Sequence, residues 1–171
     1  MAAGNTYTPL ATQTLTSTAG SVTFSSISGS YTDLVFIVSA RTVSATAGVQ
    51  FFCRMNGDGN TNYSWMQLGG NGSTIFTDRL NNDGYCRLGI IAGSSATSGI
   101  FSPNIINFQN YTNTNLYKTI LTRASLANND VTAAVSLWRS TSAITSVVFY
   151  VGGLANWEIG STFTLYGIAA A

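Results

Sequence analysis

The chain has 171 residues and a mass of 18.0 kDa, with 7 Lys or Arg, 6 Asp or Glu and no His. At 8% charged residues, against about 25% in an ordinary soluble domain, its polarity rests on 23 Thr, 20 Ser, 17 Gly and 15 Asn. Without imidazole there is no Ser-His-Asp triad, Cys-His pair or histidine metal ligand, and a formal net charge of +1 gives no basic field for phosphate contacts, so no nucleic-acid partner is expected.

In chain order, Met1–Thr6 carries neither a basic nor an apolar leader, so synthesis in the cytoplasm is expected. No apolar run approaches the roughly 20 residues of a membrane helix, and no membrane partner is expected. Residues 1–18 read as an N-terminal segment holding the first strand, with the role of an anchoring arm; residues 19–171 read as one β-sandwich domain. The apolar period is two. Leu34, Phe36 and Val38 alternate along one run, and Phe51, Cys53 and Met55 along the next. Ile144, Val147, Phe149 and Val151 mark another, and Phe163 and Leu165 the last. Thr, Val, Ile, Phe and Tyr dominate these runs, as a pleated, half-buried surface requires. Asn-, Asp- and Gly-rich turns separate them, notably Asn56-Gly57-Asp58-Gly59-Asn60, Gly69-Gly70-Asn71-Gly72 and Asn81-Asn82-Asp83-Gly84. The pattern predicts strands at 10–17, 21–25, 33–41, 49–55, 63–68, 73–80, 84–92, 99–108, 116–123, 131–137, 143–151 and 161–168. No sustained 3.6-residue period is present. The fold class is all-β: a single antiparallel β-sandwich, with a jelly roll favoured over an immunoglobulin-like fold because the Cys…Trp…Cys spacing of the latter is missing.

Few constellations carry chemistry. Cys53 and Cys86 lie in apolar runs and read as buried small hydrophobes; a disulfide needs their strands to be neighbours. Asn56–Asn60 resembles the start of a calcium loop, but the sixth and twelfth positions hold Thr61 and Gln67 where an EF-hand wants Gly and Glu, so a hairpin turn is expected and no metal or other cofactor. Asp33, Asp58, Asp78, Asp83, Asp130 and Glu158 are the only acids; Asp78 and Asp83 flank one turn, and ion pairs with Arg79 or Arg87 are a better use for them than glycoside hydrolysis. The aromatic residues Tyr31, Tyr63, Trp65, Trp138 and Trp157 are the interface candidates; a carbohydrate-stacking surface is the rival use, and core packing the commoner fate of such side chains.

Five stretches taken together are familiar. They are Ile27-(x3)-Tyr31-Thr32-Asp33-Leu34-(x6)-Arg41, Arg54-Met55-Asn56-Gly57-Asp58-(x4)-Tyr63-Ser64, Ile105-Ile106-Asn107-Phe108-Gln109-Asn110-Tyr111-(x6)-Lys118-Thr119, Trp138–Ser146 and Gly160–Ile168. Their order resembles small virion structural proteins of tailed bacteriophages of marine and cyanobacterial hosts, which end in a similar Phe-x-Leu-Tyr-Gly-Ile. The resemblance spans nearly the whole chain. It implies a non-enzymatic subunit on the exterior of a phage particle, decorating or cementing the capsid and touching the major capsid protein or other virion proteins. Its alternative is a tail-fibre or spike-tip module that binds host glycans. Sparse Lys and Pro leave strand edges open to pairing, so the subunit is expected to cover them with further copies of itself, as a homotrimer.

Overall fold

The computed structural model describes residues 6–126 and 130–169. Within them lie the strands β1 (Tyr7–Thr14), β2 (Ser21–Phe24), β3 (Asp33–Ala40), β4 (Gly48–Met55), β5 (Tyr63–Gly70), β6 (Ile75–Asp83), β7 (Cys86–Ala92), β8 (Ser102–Phe108), β9 (Lys118–Ser125), β10 (Val131–Trp138), β11 (Val147–Val151) and β12 (Thr162–Ile168). Each falls on a strand expected from the sequence. The main differences are at starts. Residues 143–146 form a loop instead of the head of β11, because the Asn56 carboxamide takes their backbone: Asn56 Nδ2 donates to the Ala143 carbonyl at 2.8 Å, and the amides of Thr145 and Ser146 donate to Asn56 Oδ1 at 2.9 and 3.1 Å. The start of β8 is likewise displaced to Ser102, because Arg41 gathers the preceding carbonyls, as described below.

The strands form two antiparallel sheets. The 8-stranded sheet runs β1-β12-β3-β8-β9-β10-β5-β6, and the 4-stranded sheet runs β2-β11-β4-β7. The expected all-β sandwich is therefore present. Strand β1 is hydrogen-bonded to β12 along its length, Tyr7 opposite Ile168 and Thr14 opposite Thr162, so residues 7–14 are an edge strand of the large sheet.

Aromatic rings fill the space between the sheets. Phe36 of β3 meets Phe149 of β11 edge to face at 4.9 Å between centroids, and Phe24 of β2 at 5.1 Å. Phe51 packs on Trp157 at 5.4 Å, and Trp157 on Phe163 at 5.1 Å. All are buried. Each such side chain contributes about 1.5–3 kcal/mol by leaving water, and the edge-to-face pairs about 0.5–1.5 kcal/mol more.

The other half of the large sheet is covered differently. Strand β7 lies close over β9 and β10. Gly89 of β7 has φ +121°, and a Cβ there would stand 3.0 Å from Thr132 Oγ1 and 3.1 Å from the Ala124 methyl. The Ser136 hydroxyl donates to the Arg87 carbonyl at 2.9 Å. Only small side chains fit this gap, so the inward positions of β10 are Thr132, Ala134 and Ser136, with Trp138 at its end. The larger apolar residues of the same strand are turned outward.

Candidate interaction surface

Four of the five aromatic candidates are held inside the subunit. Tyr63, Trp138 and Trp157 belong to the core cluster, and Trp65 is buried beside it. Tyr63 and Trp138 stack at 6.4 Å with planes 15° apart. Trp65 donates its indole N–H to Asp83 Oδ2 at 2.7 Å and lies under the Arg87 guanidinium at 4.7 Å. Within the single subunit these four side chains bury their apolar area in and beside the core, as large aromatic groups commonly do. Tyr31 is half-buried and lies flat over Gly167, where any Cβ would collide with the ring. That close approach is why a glycine follows Tyr166.

Polar residues of the five stretches quoted above tie loops to the core. Asp58 Oδ1 accepts from the amide of Asn60 at 2.9 Å and from its side chain at 2.8 Å; Oδ2 accepts from Asn62 Nδ2 at 3.0 Å and Trp138 Nε1 at 2.8 Å. Burial pushes the Asp58 carboxyl up, but these bonds outweigh it and hold the group below its ordinary value. With both oxygens engaged by N–H donors, Asn56–Asn60 is built as a turn, and Asn56 and Gly57 have the positive φ that such a turn needs. Among the described residues no cluster of three or more His, Cys, Asp or Glu approaches metal-ligand geometry.

Arg41 is buried and donates to the carbonyls of Thr97 and Ile100 at 2.8 and 2.9 Å and of Ser94 and Ala96 at 3.2 Å, with Glu158 Oε2 at 2.9 Å from its Nε. One guanidinium thereby fixes residues 94–100 in a compact loop. Lys118, the sole lysine, caps the carbonyls of Asn113, Leu116 and Thr141 at 2.5, 2.8 and 3.3 Å. Burial draws the pKa of its ammonium down. Arg139 binds Ser64, Asn81 Oδ1 at 3.0 Å, and the Thr61 carbonyl and Asn82 Oδ1 both at 2.8 Å. Asp78 pairs with Arg87 at 2.8 Å, as its position suggested. Cys53 and Cys86 stand directly opposite each other in the β4–β7 register, both buried and free, and burial raises the Cys53 thiol well above its usual range.

The open surface lies elsewhere. On the face of β9, β10 and β5 that points away from the small sheet, Val135 stands opposite both Met66 and Leu121, and Ala133 opposite both Leu68 and Arg123. The row continues through Ile105 opposite Ile37, and Val131 and Ile75 meet across Gly70 at the far corner. Ile75 is 82% exposed, Val131 61%, Met66 55% and Leu68 52%. Two shallow depressions mark this face, one of about 540 Å³ lined by Met66, Arg79, Val135 and Leu137, the other of about 580 Å³ lined by Leu68, Ile75, Arg123 and Val131. At its margin β6 ends the sheet, exposed on both sides along nearly its full length. The strand pattern alone did not locate this face. Period two reveals that one side of β10 is apolar, but not that β7 comes too close for that side to turn inward.

No protein-family model matches the chain, and no curated protein matches it.

Proposed function

We propose that the chain is a non-enzymatic structural subunit of a phage virion, attached to the capsid exterior through contacts with further copies of itself and with the major capsid protein. The observation that carries this reading is the large sheet's outer face, which presents branched and sulfur-containing side chains in register where an ordinary sandwich carries polar ones. Such a face suits permanent contact. The charged side chains Asp58, Arg41, Lys118 and Arg139 are engaged in holding loops, a use that suits a rigid building block. The sequence resemblance supports the same role.

Strand order supports the finer jelly-roll reading. The four-strand sets β1-β12-β3-β8 and β2-β11-β4-β7 share the aromatic core, with β2 and β11 packed on β3, and consecutive strands β1 to β4 alternate between them. The hairpins β5–β6 and β9–β10 are then insertions that widen one sheet.

Peptide mass spectrometry of purified particles, from the phage genome that encodes the chain, tests the proposal. Copy numbers on the order of hundreds are expected for a protein that covers a capsid in symmetric repeats. Absence from particles would reject the virion role, and a few tens of copies would move it to the tail.

A further inference from the structure

We infer that the outer face of β9, β10 and β5 packs against the same face of a second copy of this chain, sheet on sheet, about a two-fold axis near the Met66–Val135 pair. This names the self-contact of the function proposed above, and in its virion setting rests on that reading; the geometry is the chain's own.

Three observations carry it. The first is area. At their exposures, Ile75, Leu68, Met66, Val131, Val135 and Ile105 together offer on the order of 600 Å² of surface. This stands at the upper end of the roughly 300–600 Å² of the largest patch on an ordinary monomer, and with the neighbouring Ile37, Ala133 and the arginine stems the face approaches the roughly 800 Å² that each partner gives to a stable interface. The second is charge. Within the rows only Arg123 interrupts the apolar stripe, between Ile105 and Ala133, while Arg79 borders it beside Met66. No acid on the stripe answers these two arginines, so a basic partner is disfavoured, and the apolar rows that make up most of the face are complemented by a second apolar face such as their own. An axis through Met66–Val135 places the two copies of Arg123 on opposite sides, and guanidinium groups are common at the border of such contacts.

The third is the sheet's overhang. β6 is exposed on both faces, beyond β5, whose inner positions Tyr63, Trp65 and Gln67 are buried. A second sheet about 10 Å away, the usual spacing of stacked sheets, would cover the outer face of β5, β10 and β9 and reach the overhanging β6. Burial of a contiguous, well-aligned patch of this kind is how two-fold contacts are built.

Light scattering after size exclusion, at about 50 µM chain, tests this. The wild type is expected at twice 18.0 kDa. The double variant M66E/V135E is expected to run as a monomer, with association weakened at least about 100-fold, since each copy would bring two added carboxylates into the centre of an apolar contact. L154E, at a fully exposed site on the turn after β11, is expected to leave the dimer unchanged. The milder M66Q/V135T variant and the concentration dependence of amide exchange in β5 and β10 give the same readout should the charged variant fold poorly. A monomeric wild type would overturn the inference and leave the face to another virion protein. An M66E/V135E variant that folds and stays dimeric would overturn it also. A dimer lost on M66E/V135E, with the chain missing from purified particles, would keep the contact and end the virion reading.

Discussion

Asp58 sits at the centre of the residue-scale interactions. One carboxylate closes its own turn through Asn60 and Asn62 and reaches the core through Trp138 Nε1, 80 positions later in the chain. Hydrogen bonds to a charged acceptor contribute about 1.5–3 kcal/mol each, less where water competes. Asp58→Ala is therefore expected to cost about 2 kcal/mol in urea denaturation at neutral pH, followed by tryptophan emission. The pH dependence has a definite sign. The folded carboxyl lies below its ordinary value of 3.8, so its contribution is complete above pH 3.8 and disappears as the pH falls through the lower, folded value. The variant should lose that acid-side step and show a flatter profile there. At this scale the sequence was partly legible. Asp58 was recognisable as a turn residue from its Asn and Gly neighbours. Its bond to Trp138 was not, because it depends on β5 and β10 being paired. The same limit hid the fate of the aromatic residues: side-chain type says that Trp157 wants burial or a partner, and only the fold decides which.

At the scale of elements, the strand pattern was legible because alternation and turn chemistry are local. Each of the twelve strands among the described residues overlaps one expected from alternation and turn chemistry, although β1, β3 and β12 end without an Asn, Asp or Gly turn. What was not local was the approach of β7 to β9 and β10. Gly89 admits it, with a positive φ that other residues reach only with strain and with no room for a methyl. Gly89→Ala is expected to destabilise by about 2–4 kcal/mol, combining strain with overpacking. Gly72→Ala, at φ +84° with nothing within 4 Å, should cost only the strain, about 1 kcal/mol. The difference between the two thermal or chemical midpoints isolates the crowding under β7, and equal losses would mean that the gap relaxes. This approach has a wider effect. By admitting only Thr, Ala and Ser inward, it fixes the register of β10 with Val131, Val135 and Leu137 outside, since a slip by one residue would drive them into β7.

For the molecule as a whole, the scarcity of charge noted at the outset acquires a location. Charged side chains are concentrated on loop carbonyls and turns, while the broad sheet face is almost free of them. Association through that face should therefore respond weakly to ionic strength: between about 50 and 500 mM salt the dimer constant is expected to change by less than about threefold, in contrast to contacts made by exposed ion pairs. Sedimentation equilibrium across that range checks it, and a tenfold loss would point to the arginines instead. The strand order has one more consequence, for the time at which the fold can exist. β12 lies between β1 and β3, and β11 between β2 and β4, so the earliest strands made are separated by slots that only the latest can fill. Neither sheet can close before β11 and β12 have been made. Folding must wait until β11 and β12 have left the ribosome and then proceed by long-range pairing, on the millisecond-to-second scale of such topologies. Through that interval the apolar strands are unprotected, and the few charges of this chain do little to keep neighbouring nascent chains apart.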